Sequence, residues 1–430
     1  MDYQQARSFI DELSGKGSIP GLDAVRELLK RLDNPQDKLK FVHIAGTNGK
    51  GSVLSYLSGI LTESGWKTGC YISPTLFSYR ERLQIDGEYI TREDFAALTE
   101  KAAEAVRQME QEGLESPTVF EVETAIAFLY FKEKQCDFVV LETGMGGRLD
   151  ATNIIKSSVL SVIASISMDH MQFLGESLGE IAWHKAGIIK ENTPVVSAFQ
   201  KEEAAHVIRR EAEKMKSPLY FVDPGKISQI SYGLWGQSFT YKEFERMQIF
   251  LSGTYQIANA SLALEAVKAL RRLGYKLEDD AVRRGLAKAR WRGRFELIAQ
   301  SPAVVLDGAH NPDAAAKLMD SVREYFGERK KYYIFGVFSD KEYDKIIDIT
   351  AKDACRIFTV ETPGNPRALP AGELARAVQR VNPSVEEAES IEDAVRKAFS
   401  LAGSEDVILI FGSLSFLGEA RKAVEFISRR

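Results

Sequence analysis

Apolar residues in this chain fall into short unbroken runs, separated by stretches in which they recur at helical spacing. "KFVHIA" (40–45), "KTGCYI" (67–72), "DFVVLET" (137–143) and "SVLSVIAS" (158–165) read as buried strands. Between them, segments such as "TREDFAALTEKAAEAVRQMEQEG" place apolar residues three or four positions apart, as one face of a helix requires. This alternation predicts an α/β protein with a mostly parallel sheet wrapped by helices. A ligand of such a sheet sits at the carboxyl ends of its strands. A second set, "AVVLDGA" (303–309), "KYYIFGVF" (331–338), "CRIFTVET" (355–362) and "DVILIFGSL" (406–414), each followed by a helical stretch, predicts a smaller α/β unit with its own core. The boundary is expected between Arg294 and Gln300, giving domains 1–295 and 296–430.

Composition narrows the class. A chain of 430 residues exceeds one ordinary core, so more than one domain is expected, and 44% hydrophobic with 27% charged residues is the balance of an ordinary globular protein. A net charge of −5, with no Lys/Arg stripe interleaved with aromatics, argues against nucleic acid and for small-molecule partners. Cys70, Cys136 and Cys355 are far apart and form no CxxC pair, which suggests neither a disulfide framework nor a zinc site. The opening "MDYQQARSFIDELSGKG" is polar and unlike a signal peptide, and no apolar run approaches a membrane span, so a cytoplasmic protein is expected.

The strand "KFVHIA" runs into "HIAGTNGKGS" (43–52), with a helix expected from Ser52 to Ser64. A strand, a glycine-rich turn and a helix N-terminus make an anion site, because backbone N–H groups converge where the helix dipole is positive. Lys50 is placed for the outer phosphates of a nucleotide, and Ser52 for the phosphates or a magnesium ion beside them. The loop is a variant of the usual phosphate loop, shorter and with Gly51 between the lysine and the hydroxyl residue. In "LETGMGGRLDATN", Glu142 ends a buried strand, where a carboxylate beside phosphates suits Mg²⁺; Ser73, at the tip of "YISP", is a candidate by position. "SMDH" ends in Asp169 and His170, and Lys185 follows inside the apolar "IAWHKAGII". A buried lysine needs a partner or a lowered pKa, so pairing or snorkelling stays open for Lys185, and a structural role for His170. Asn259, Arg294, Asp307 and His310 are further polar candidates, Arg294 because a guanidinium near a domain joint suits a transferring phosphoryl group.

Taken together, "HIAGTNGKGS", "YISP", "FEVETAIAF", "LETGMGGRLDATN", "SMDHMQFLGESLGEIAWHKAGIIK", "ANASLAL", "GRFE" and "LDGAHNP" resemble, in order and spacing, the folylpolyglutamate synthase and dihydrofolate synthase family of the Mur-type amide ligases. The resemblance implies a P-loop nucleotide domain and a Rossmann-like C-terminal glutamate ligase domain. It implies ATP at Asn48, Gly49, Lys50, Gly51 and Ser52, with further contacts from Asn259, Arg294 and Asp307. Of two Mg²⁺ ions, one would take Ser73 and Glu142, the other His170 and a carbamylated Lys185. Phe120, Leu149, Asp150 and Ala151 would meet the pterin or folate, and His310 and Ser413 the glutamate. Lys50, Lys185, His170 and Arg294 would carry the catalysis. Thr75 stands where the family often has histidine.

The implied reaction joins L-glutamate to a reduced folate or dihydropteroate through an acyl phosphate, in a protein taken to act as a monomer. Two alternatives remain. A ligase of cell-wall nucleotide precursors would share the loop and the lysine, but the chain shows no separate N-terminal UDP-binding domain. A regulatory P-loop NTPase would have the loop without glutamate-dependent turnover. Extension of folates, first addition to dihydropteroate, or both, is not decided by these residues.

Overall fold

The run at 41–45 is strand β1 (Phe41–Ala45), all five residues buried, in the computed structural model, which describes residues 1–13 and 21–428. Positions 14–17 of the polar opening stretch lie outside the described residues. Seven further strands complete the first sheet: β2 (Thr68–Tyr71), β3 (Leu83–Ile85), β4 (Glu88–Tyr89), β5 (Phe138–Glu142), β6 (Leu160–Ile163), β7 (Val195–Ser197) and β8 (Leu219–Phe221). Their order is β4-β3-β2-β5-β1-β6-β7-β8. β2, β5, β1, β6, β7 and β8 pair in parallel, while β3 and β4 add an antiparallel edge. Strands covered on both faces have no solvated side to carry polar residues, which explains the unbroken apolar runs. The four strands expected from the sequence are present; β3, β4, β7 and β8, two or three residues each, are too short to show a period.

β1 is central. Ile44 lies opposite Glu142 of β5 on one side and Val162 of β6 on the other. Parallel register therefore brings the loops after residues 45, 142 and 163 out side by side. The segment 227–249, with no strand expected, forms a three-stranded sheet of β9 (Ile227–Ser231), β10 (Gln237–Tyr241) and β11 (Phe244–Ile249), in the order β11-β10-β9.

The last sheet comprises β12 (Glu296–Gln300), β13 (Ala303–Asp307), β14 (Lys331–Phe335), β15 (Arg356–Thr359), β16 (Val385–Glu387) and β17 (Val407–Phe411), ordered β12-β13-β17-β14-β15-β16. All pairs are parallel except β12 with β13. The chain thus has the mixed α/β architecture expected. It divides into two compact units, Met1–Ile227 with Tyr241–Met247 and Ala258–Ala289, and Ser228–Thr240 with Gln248–Ile257 and Arg290–Arg430. The sequence division at 295/296 differs from this in two respects: the units part at Ala289, and two earlier segments join the second.

Within the first unit, helix Lys50–Glu63 packs against helix Asp279–Lys288 at a pair of glycines. A Cβ on Gly285 would come within 2.4 Å of Ile60 Cα, and one on Gly59 within 2.8 Å of the Gly285 carbonyl oxygen. Alanine normally favours a helix interior over glycine by about 1 kcal/mol. Here the backbone contact should reverse the sign: Gly285→Ala is expected to lower the stability of the first unit by about 1–3 kcal/mol in urea unfolding.

Candidate active site

The phosphate-loop candidate is built as its sequence requires. Gly49 caps helix Lys50–Glu63 with φ 92°, a left-handed conformation that disfavours a side chain, and a Cβ there would fall 2.5 Å from Asn259 Oδ1. Asn259, from helix Gln256–Arg272, is thereby brought against the loop. The amides of Thr47 and Asn48 donate to the Ser165 carbonyl after β6, at 2.8 and 3.2 Å, and the Thr47 hydroxyl donates to the Ser167 carbonyl at 3.0 Å. These bonds pin the loop to the neighbouring strand end. Ser52 lies buried in the first turn of the helix.

Two lysines converge on one oxygen. Lys50 Nζ donates to the Gly46 carbonyl at 3.2 Å, and Lys185 Nζ donates to the same carbonyl at 2.9 Å. Lys50 is also 3.8 Å from Glu142 Oε1. Lys185 is buried and does not snorkel; burial, and then the charge of Lys50, lower its pKa to about 7, against smaller opposing effects of Asp169 and Asp150. The Glu142 carboxylate, itself buried, accepts the Ser73 amide at 3.4 Å. His170 is exposed, with a left-handed backbone (φ 51°); its amide donates to Asp169 Oδ1 at 2.9 Å and its Nε2 stands 4.0 Å from Asp169 Oδ2.

Among the described residues no three His, Cys, Asp or Glu side chains converge as a metal cage. What converges is one carboxylate, Glu142, beside Ser73 and the phosphate loop. That donor set fits Mg²⁺, which takes one or two protein carboxylates and completes its shell with phosphate oxygens and water.

The candidate folate-side residues cluster around the turn after β5. Phe120, in the first turn of helix Val119–Glu133, lies over Gly144, where a Cβ would meet its Cζ at 2.6 Å, and its ring is 5.8 Å from Tyr71. Leu149 is exposed, Ala151 buried. Asp150 is buried and accepts from Met145 N (2.9 Å), Thr152 N (3.0 Å) and Thr152 Oγ1 (2.5 Å). Burial raises its pKa and these donors oppose the rise. Thr75 belongs to a segment shaped by Glu81, whose buried carboxylate accepts the amides of Leu76 (2.8 Å), Phe77 (3.1 Å) and Ser78 (2.9 Å). Arg82 beyond it pairs with buried Glu123 at 3.1 Å, to which Tyr79 also donates.

In the second unit, the register of β13 with β17 sets Asp307 opposite Phe411. Asp307 is buried and turned inward: it accepts from Tyr255 Oη (2.9 Å), Phe295 N (2.7 Å) and Ala309 N (2.7 Å), and burial raises its pKa. Arg294 lies across Gly308, so closely that a Cβ there would sit 2.1 Å from its Nη1. His310 Nδ1 is 2.7 Å from the Gly308 carbonyl, which can only accept, so Nδ1 carries the proton. Ser413, buried after β17, is 2.6 Å from the Ser415 hydroxyl. Tyr255 and the Gly46 carbonyl escaped the sequence reading. Tyr255 lies within a helix-forming stretch that offered no separate signal, and a carbonyl has no sequence signature.

Comparison with known proteins identifies the family. Residues 44–267 match the Mur ligase middle domain and residues 293–414 the Mur ligase glutamate ligase domain. The chain is 37% identical over 430 residues to the dihydrofolate synthase/folylpolyglutamate synthase of Bacillus subtilis, covering 98% of this chain and 99% of that one. The Mycobacterium tuberculosis folylpolyglutamate synthase complexed with ADP superposes with a TM-score of 0.90 at 31% identity, covering 98% of this chain and 97% of the other. E. coli FolC in complex with DHPP and ADP gives 0.86 at 28% identity, covering 100% and 98%. The chain belongs to the folylpolyglutamate synthase and dihydrofolate synthase family of Mur ligases.

Proposed function

We propose that this protein is an ATP-dependent ligase that adds L-glutamate to folates, and to dihydropteroate as well, working as a cytoplasmic monomer on small-molecule substrates. The observation that carries the reading is the meeting of Lys50, Lys185 and Glu142 at the Gly46 carbonyl and its loop. The Lys50 ammonium at a helix N-terminus suits the phosphates of a nucleotide triphosphate, and the Glu142 carboxylate beside it suits their counter-ion.

The reaction divides into two displacements. A carboxylate oxygen of the folate attacks the γ-phosphorus of ATP, the bond to the β-phosphate oxygen breaks, and ADP leaves an acyl phosphate. The α-amine of glutamate then attacks the acyl carbon, the C–O bond to phosphate breaks, and the amine loses a proton as the amide forms. Lys50 and the amides of Gly49, Gly51 and Ser52 would hold the phosphates, with Asn48, Asn259 and Arg294 as further nucleotide contacts. Asp307, turned toward Phe295 and Tyr255, would act by holding the backbone beside Arg294. Ser73 and Glu142 would hold one Mg²⁺, and His170 with a carbamylated Lys185 a second. Bound Mg²⁺ supplies charge neutralisation on the transferring phosphoryl group. Phe120, Leu149, Asp150 and Ala151 would form the folate side, and His310 and Ser413 the glutamate side.

A lysine with a pKa near 7 is substantially unprotonated at neutral pH, and only the free amine adds CO₂, releasing one proton as the carbamate forms. The carbamate exchanges a cation for oxygen ligands. Lys185→Ala should therefore be nearly inactive, with partial recovery in the presence of a short carboxylic acid. The native protein should show the mass of one added CO₂ at Lys185. A bare amine there in an active, magnesium-bound crystal would refute the carbamate.

Lys50→Ala should lower kcat/KM for ATP-dependent ligation by about 10²–10³-fold, with the melting temperature unchanged; near-normal turnover would remove the loop from the reaction. A panel of dihydropteroate and reduced folates, each with ATP, Mg²⁺ and labelled glutamate, should yield labelled products from both classes. ATP hydrolysis at the same rate without folate and glutamate would favour an NTPase instead.

A further inference from the structure

The middle of β1 holds a polar side chain that the proposed reaction does not use. His43 is fully buried, in the central strand three residues before the phosphate loop. Its Nε2 lies 2.9 Å from Thr152 Oγ1, and that hydroxyl donates to Asp150 Oδ1 at 2.5 Å. The direction of the chain follows from counting protons. Both Asp150 oxygens already accept backbone amides, Oδ1 from Thr152 and Oδ2 from Met145, so the carboxylate acts as acceptor. The single Thr152 hydroxyl proton is thus committed to Asp150. The bond between Thr152 and His43 must then be donated by the imidazole, which carries its proton on Nε2 and leaves Nδ1 bare.

The surroundings agree. Nδ1 is buried and has no hydrogen-bond partner. Burial, and then the nearby charge of Lys190, hold the His43 pKa well below its ordinary value, so the ring stays neutral. Lys190 Nζ donates to the Asn153 carbonyl at 3.2 Å, and Asn153 Nδ2 donates to the carbonyls of Arg148 (3.1 Å) and Gly187 (3.0 Å). The turn from Gly147 to Asn153 is therefore clamped at both ends, and its middle is tied through Thr152 to β1.

We propose that His43 is a positioning residue for the folate substrate: through Thr152 it fixes Asp150 and the turn carrying Leu149 and Ala151 to the strand that presents the phosphate loop. This rests on the reading that places Asp150 on the folate side. The donor chain couples the two substrate walls, so that the carboxylate to be phosphorylated and the phosphate to be transferred are registered against one strand.

Two measurements test it. In the full-length protein labelled with ¹⁵N-histidine, His43 is identified among the five histidines by its loss in His43→Gln. The expected spectrum has the proton on Nε2 alone at neutral pH; a proton on Nδ1, or a doubly protonated ring, would overturn the proposal. In steady-state kinetics, His43→Leu and Thr152→Val should each raise KM for the folate about ten-fold, with KM for ATP unchanged, and the double variant should be no worse than either single one. His43→Gln, whose amide nitrogen can take the place of Nε2, should restore most of the loss. A parallel rise in both KM values, or additive losses, would show general damage to β1 and overturn the positioning role. Asp150→Asn separates the underlying reading: an unchanged folate KM there would remove Asp150 from the folate side and the role of His43 with it, whatever the tautomer.

Discussion

The first unit depends on one constraint, the parallel pairing of β1 with β5 and β6. Because Ile44 sits opposite both Glu142 and Val162, the chain leaves three adjacent strands at one level. The glycine-rich turn, the metal-binding carboxylate candidate and the Ser165 carbonyl that pins the turn all follow from that level. A slip of one residue would reverse which face each side chain meets and carry Glu142 away from Lys50. The carbonyl of Gly46 then gathers the two lysine side chains, and the nearness of Lys50 makes it harder for buried Lys185 to stay charged.

The second unit has a comparable pin of opposite sign. Asp307 is a buried carboxylate, costly without donors, and three donors from separate parts of the unit meet it. One of them is the amide of Phe295, held at a left-handed φ of 45°, next to Arg294. The acid expected as a nucleotide contact also shapes the backbone beside the guanidinium.

Local signals were legible; distant ones were not. The strands at 41–45, 138–142, 303–307 and 407–411 are long and apolar enough to stand out, and the turn "GTNGKGS" announces itself because glycine and lysine are tied there to backbone geometry. By contrast, Ser228–Thr240 and Gln248–Ile257 join the second unit through contacts far along the chain, Gln237 Nε2 donating to the carbonyls of Leu251 and Gly253 and the Thr254 amide to Ser321 Oγ. No periodicity encodes such partners. Lys185 was recognisable as a buried lysine, yet nothing in "IAWHKAGII" says that its partner is a main-chain oxygen. His43 passed as one polar position in an apolar strand, since its meaning lies in Thr152, more than a hundred residues away.

The segment from Ser73 to Arg82 illustrates a different economy. Glu81 gathers three successive amides and Arg82 is locked to Glu123, so the shape of this segment is fixed by the chain itself. Its conformational entropy is lost when the protein folds and not when a ligand arrives. A ligand that met residues 76–82 would find their backbone already ordered and would pay little of that cost on arrival.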